Sequence, residues 1–217
     1  MTAGRLGAGR LGMIDAIIVA GGRGSRLGGL DKSTLVYRGN PLRRHVLDSV
    51  RAARRVAWVG ESTAELAADA WSSVRVTRES PAYAGPVAGV AAGLAVLADD
   101  PAPFTLVLAA DLPHAAEAVP SLLRRFDGTA DGALAVDETG RRQFLLGVYR
   151  TAALRAQIDL HAASGPLDGM PVRRLVAPFR LTELPLAPGL CGDVDTPADA
   201  ERHGIRLPSP PDRSSTP

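Results

Sequence analysis

One lysine and 24 arginines carry all the basic side chains of this 217-residue chain. The lysine, Lys32, closes the stretch AGGRGSRLGGLDK, Ala20 to Lys32, in which Arg26 is a second well-placed cation. Glycines that follow an apolar segment let backbone N–H groups approach phosphate oxygens. Two cations aimed at one such concavity repel each other unless an anion fills it. Lysine is a compact charge with rotatable donors, whereas arginine is a rigid fork. A lysine kept among arginines therefore marks a place where arginine serves poorly. The plain alternative is that one basic position escaped the drift toward arginine expected of a GC-rich genome.

Three familiar phosphate loops fail here. The P-loop needs glycine directly before Lys-Ser, but Asp31 precedes Lys32-Ser33. A literal dinucleotide fingerprint, GAGRLG from Gly7 to Gly12, lies before the first apolar segment and not after it. Read from Gly22, GRGSRL has leucine where the third glycine belongs.

Two carboxylates are candidates for a cation. Asp111 directly follows the apolar run LVLAA and is turned away by Leu112-Pro113. That position suits a hard ion that keeps several waters, and it equally suits a turn or helix N-cap. Asp195 stands in DVDTPAD, where Thr196 and Pro197 read as the cap and first turn of a helix. His45 reads as a structural residue within a helix, and His114, beside DLP, is the histidine nearest this chemistry. Cys191 is the single cysteine, which excludes an intrachain disulfide and a cysteine-rich metal site. We read it as inert.

Taken together, these residues resemble the nucleotidyltransferases with the signature Leu-Ala-Gly-Gly-x-Ser-x-Arg-Met-Gly-x-Asp-Lys, most closely the molybdenum cofactor guanylyltransferases. The likeness is carried by Val19-Ala20-Gly21-Gly22, Ser25 displaced by one residue, Arg26, Leu27 for methionine, Gly28 and Asp31-Lys32. RGNPL, GPVAG, LVLAADLP, RRQFLLGVYR and DVDTPADAER follow in the family's order. The resemblance implies a doubly wound α/β sheet that binds a nucleoside triphosphate across the strand carboxyl ends. It implies a magnesium ion, Mg2+, bridging the phosphates, and a phosphate of a second substrate that attacks the α-phosphorus and expels pyrophosphate. Carried over by residue, Val19, Ala20, Gly21, Gly22, Glu79, Gly85 and Asp111 contact the nucleotide. Arg26 and Lys32 hold the phosphates and, with Asp111, form the catalytic set; Asp111 and Asp195 hold the metal.

The expected activity is transfer of GMP from GTP to molybdopterin, with GTP and molybdopterin as partners. Asp31-Lys32 leans to the guanylyl branch. DVDTP leans toward a cytidylyltransferase on the same cofactor, or toward a 2-phospholactate guanylyltransferase. Three positions depart from the pattern: Glu79 for aspartate, Gly60 for an asparagine, and Phe144 for a proline. A reading of a different class is a nucleotide-binding module without catalysis, an assembly partner for a molybdoenzyme or for cofactor-assembly proteins. Intact Arg26, Lys32 and Asp111 speak against it.

The elements that must position these residues read as alternating strands and helices. MIDAIIVA, RVAWVG, VRVT, FTLVLAA, GALAVDE, QFLLGVYR and VRRLV read as strands. PLRRHVLDSVRAA, TAELAADAW, VAGVAAGLAVLA, AVPSLLRRF, a segment from Thr151 and TPADAERHG read as helices. The pattern predicts a single doubly wound, mostly parallel α/β sheet covered on both faces, with ligands beyond the carboxyl ends where strand order reverses. We expect one domain over 13–206, a flexible extension over 1–12 and a disordered proline- and serine-rich tail over 207–217. Net charge is +2 and aromatics are 4%, with arginines in scattered pairs, so no nucleic-acid surface is expected. No apolar run reaches bilayer length, and MTAGRLGAGRLG lacks a signal-peptide core. The expected location is the cytoplasm.

Overall fold

The computed structural model describes residues 13–22, 27–61, 66 and 74–207. Arg26, the 1–12 extension, most of TAELAADAW and the tail from 208 onward lie outside the described residues. A seven-stranded sheet forms the centre. It contains β1 (Ile14–Val19), β4 (Val56–Val59), β5 (Val74–Thr77), β6 (Phe104–Ala109), β7 (Gly132–Val136), β8 (Arg142–Arg150) and β9 (Leu181–Pro185), in the order β5-β4-β1-β6-β8-β7-β9. A small hairpin, β2 (Val36–Tyr37) and β3 (Asn40–Pro41), stands apart. Within the seven-stranded sheet all pairings are parallel except those that β8 makes with β6 and β7.

Side chains alternate across β1. Ile14, Ala16 and Ile18 face one core, and Ile17 faces the other. The first core is closed by α1 (Leu42–Ser49) and α3 (Ala115–Arg125), the second by α2 (Pro86–Val96), α4 (Thr151–Ser164) and the one-turn α5 (Val172–Leu175). Both sheet faces are thus covered, as the near-continuous apolar runs of β1 and β6 require. The last helix, α6 (Pro197–Arg202), joins Leu27, Leu35, Tyr37 and Leu42 in a third, smaller cluster. That cluster ties the far end of the glycine loop to the segment carrying Asp195.

VRRLV is a helix, not the strand expected. Its apolar residues stand at i, i+3 and i+4, and Val172, Leu175 and Val176 are all buried on one side. Pro171 stands at the N-cap and starts the turn. The strand on that edge is β9, whose middle residues Thr182 and Glu183 are exposed. The chain leaves β1 toward β4 on one side and reaches β6 on the other, so the reversal of strand order falls between β1 and β6. Their carboxyl ends open together onto one side of the sheet.

Candidate functional site

Beyond those strand ends lies a cavity of about 490 Å³. It is walled by Val19, Ala20, Gly21 and Gly22 after β1, by Lys32, by Gly85 and Pro86 at the start of α2, and by Asp111, Asp193 and Asp195. Lys32 begins a single 3-10 turn, Lys32–Thr34, that Asp31 caps by accepting from the Ser33 N–H at 2.9 Å. The turn aims the Lys32 side chain inward. Its ammonium donates to Asp111 Oδ2 at 3.2 Å and also contacts Asp195 Oδ1. Burial opposes the charged lysine, but Asp111 and then Asp195 outweigh it and hold the ammonium above its ordinary pKa.

Burial acts on Asp111 in the other direction. It pushes the carboxyl up to about 6, against Lys32 and with help from Asp193 and Asp195. Asp193 is raised as well, by burial first and by Asp195 second. Asp111 and Asp195 thus share one ammonium and Asp193 lies in the same wall, a concentration of negative charge that a divalent cation would neutralise. Among the described residues no three His, Cys, Asp or Glu side chains converge on a point. A cation held by Asp111 and Asp195 would thus take few protein oxygens and complete its shell from water and phosphate, as magnesium does. The donor set fits such an ion.

A second, narrower cavity of about 180 Å³ adjoins the glycine loop and is lined by Glu79, Trp58, Gly60 and Tyr83. Glu79 is buried; its Oε1 accepts from the Tyr83 N–H at 3.0 Å, and its Oε2 has no hydrogen-bond partner. A Cβ at Gly21 would come within 2.7 Å of Glu79 Oε1. Glycine at that position is therefore a matter of close approach. The structure thus gathers Val19, Ala20, Gly21, Gly22, Lys32, Gly85, Asp111 and Asp195 around one cavity and sets Glu79 in the next. Arg26 falls outside the described residues.

Asp193 was not among the sequence candidates, although DVD carried a signal for it. In the extended segment before α6, alternate residues share a side, so Asp193 and Asp195 line the cavity while Val194 is fully buried behind them. His114 is not in the cavity wall. It stacks between Tyr37 and His203 at ring distances of 5.4 and 5.3 Å, and His45 packs on the same tyrosine. Cys191 is buried, with its thiol pushed up to about 11 by that burial, which suits an inert residue.

Residues 16–178 match the family model of the MobA-like NTP transferase domain. The chain belongs to that family. Among its relatives are molybdenum cofactor guanylyltransferases from Cupriavidus pinatubonensis (34% identical over 142 residues) and Pseudomonas fluorescens (33% over 135). The matches cover 60% and 61% of this chain, and 66% and 58% of those relatives, under two thirds of either length. The molybdopterin-guanine dinucleotide biosynthesis protein A of Archaeoglobus fulgidus shares the fold, with a TM-score of 0.61 and 18% identity over 87% of this chain and 96% of that one. The α/β sheet expected from the sequence is the fold of this MobA-like family. Among the described residues no helix is long and apolar enough to cross a membrane.

Proposed function

We propose that this MobA-like chain is a molybdenum cofactor guanylyltransferase, transferring GMP from GTP to molybdopterin in the cytoplasm. The observation that carries the reading is the Lys32 ammonium held by Asp111 and Asp195 at the mouth of β1 and β6, beside the glycine loop. The reaction joins two anions, so its barrier is lowered chiefly by charge neutralisation and alignment. The terminal phosphate of the acceptor attacks the α-phosphorus of GTP. A new P–O bond forms, the α–β bridging P–O bond breaks in line, and its electron pair leaves with pyrophosphate.

Asp111 and Asp195 would hold a magnesium ion, with Asp193 beside them in the cavity wall. When bound, that ion supplies positive charge to the triphosphate and to the departing pyrophosphate. Val19, Ala20, Gly21 and Gly22 lie along the nucleotide, and Gly85 opens the positive end of α2 toward its phosphates. Lys32 turns from the carboxylates to the phosphates as charge accumulates there, and Arg26 serves the same phosphates. Glu79 receives the guanine N1–H and exocyclic amine, for which its unpartnered Oε2 and the narrow cavity beside Gly21 are suited. Cytosine, with an acceptor on that edge, would meet a carboxylate it cannot satisfy.

The test is thermal stabilisation by GTP, CTP, ATP and UTP, each with magnesium, followed by pyrophosphate release on adding molybdopterin. A ligand at a hundredfold its dissociation constant adds about 2.7 kcal/mol. GTP alone should stabilise, and molybdopterin should trigger release. Selective stabilisation by CTP would reassign the base, release with 2-phospholactate instead would reassign the acceptor, and binding without release would leave a nucleotide-binding module.

A further inference from the structure

The pairing between β7 and β8 jumps at one point. Leu134 faces Gly147, yet its neighbour Ala135 faces Gln143. Phe144, Leu145 and Leu146 are therefore surplus on β8, while Leu146 keeps its place opposite Leu108 of β6. Bulges of this kind re-aim side chains and collect beside functional sites. Here Leu145 lines the 490 Å³ cavity, and Phe144 lines the next one, of about 630 Å³. The two cavities share Pro86, Ala109, Leu145 and Asp193 and so form one continuous cleft. On its other side Phe144 borders a third cavity of about 400 Å³ with Phe179.

The bulge is pinned from within the sheet. The buried Tyr149 hydroxyl donates to the Phe144 carbonyl at 2.8 Å. It passes over Gly147, where a Cβ would lie 2.5 Å from that hydroxyl. The turn before the bulge is fixed by Asp137, which accepts from the N–H groups of Thr139 and Arg141 and from the Gln143 side chain. Around Phe144 stand three guanidinium groups. Arg142 is spoken for by Glu183, whereas those of Arg141 and Arg173 have no hydrogen-bond or ion-pair partner among the described residues. A half-buried aromatic side chain, in a cleft that runs on to the first cavity past Leu145 and that Arg141 and Arg173 also line, matches one ligand chemistry. That ligand is a flat heteroaromatic molecule carrying a phosphate monoester.

We propose that Phe144, at a position where the family pattern has proline, is the platform on which the ring system of the acceptor lies, and that Tyr149 is the positioning residue that holds it there. The acceptor phosphate then reaches past Leu145 to the nucleotide, with Arg141 and Arg173 on its anionic flank. This rests on the nucleotidyl-transfer reading and adds to it the part of the chain that selects the acceptor.

The test titrates molybdopterin calorimetrically into the full chain, with magnesium and a GTP analogue whose α–β bridge cannot be cleaved. Wild type is compared with Phe144→Ala, Phe144→Leu, Phe144→Tyr and Tyr149→Phe; GTP affinity reports folding and the integrity of the first cavity. Phe144→Ala should weaken molybdopterin about tenfold or more, the scale of a lost aromatic platform, with GTP affinity kept within about twofold. Phe144→Tyr should bind like wild type. Phe144→Leu keeps an apolar side chain if alanine unsettles the strand, and it should still lose most of the affinity because it lacks a face. In turnover, Tyr149→Phe should raise the acceptor KM and lower kcat while the KM for GTP stays put. Unchanged molybdopterin affinity in Phe144→Ala or Phe144→Leu, equal loss of GTP and molybdopterin, or no molybdopterin binding by wild type would each overturn the platform. Wild-type binding that depends on Phe144 but yields no pyrophosphate would support the platform and sink the transfer reading alone.

Discussion

The Lys32 ammonium occupies the position, between Asp111 and Asp195, that a divalent ion would contest. In that arrangement the lysine neutralises the carboxylates, and on the proposed reading it would be released toward the phosphates when the nucleotide and its metal bind. Lys32→Arg should therefore keep GTP stabilisation but lower kcat about a hundredfold or more, because a rigid fork cannot follow the charge. Steady-state kinetics beside a thermal shift would decide it; near-normal turnover would remove the special role of lysine. Gly21→Ala makes a second demand. Its Cβ would displace Glu79 Oε1 from 2.7 Å and should weaken GTP about tenfold while leaving CTP nearly unaffected, read by competitive titration. At this scale much of the site was legible, because Lys32, Gly21 and Asp111 carry their chemistry in residue type and local neighbours. Asp193 was not, since the alternation in DVD points to it only once the backbone there is known to be extended.

Among the elements, α6 shows how local sequence positions a distant carboxylate. Thr196 and Asp199 form a reciprocal capping box, and Asp199 Oδ2 also accepts from the Asp195 N–H at 3.2 Å. Asp199→Ala should cost about 1 kcal/mol of stability and raise the magnesium concentration needed for half-maximal turnover, because Asp195 loses its anchor. Burial raises the Asp199 carboxyl, but hydrogen bonds from Thr196 outweigh it and hold the group below its ordinary value of 3.8. Its charged form is thus favoured in the folded state. The cap's contribution is complete above that ordinary value and is lost as pH falls through the depressed one, so acid unfolding of wild type and Asp199→Ala should converge at low pH. The capping motif was plain in TPAD. Short pieces were harder to read: VRRLV contains two β-branched residues, yet its i, i+3, i+4 spacing and Pro171 prevail. In β9 the exposed Thr182 and Glu183 mask an edge strand in which Leu184 is the buried residue.

Across the whole molecule, stability and chemistry sit at opposite ends of the sheet. At the amino end, Asp15 is buried in β1 and bound by Arg55, which also reaches Asp99 and the Leu97 carbonyl. Arg55→Met leaves Asp15 buried without its cation and should cost about 3–5 kcal/mol. Denaturant unfolding should register that loss while the KM for GTP stays unchanged at temperatures where the variant is folded. Strand alternation was legible because helices between strands force parallel crossovers, while the reversal between β1 and β6 emerges only from the strand order. The antiparallel course of β8 follows from the short Asp137–Arg141 turn, but its place between β6 and β7 depends on pairings between residues far apart in the chain. One consequence concerns ancestry and engineering. The 490 Å³ cavity is walled mainly by residues 19–22, 31–33, 85–86 and 109–111, the adjoining 630 Å³ cavity by residues 140–146 and 171–173, with four residues in common. The cleft is therefore divided along the chain into two nearly independent inheritances. A lineage, or a designer, can rewrite Gly140–Phe144 and Pro171–Arg173 and reshape the 630 Å³ cavity while leaving the residues around Lys32 and Asp111 as they are.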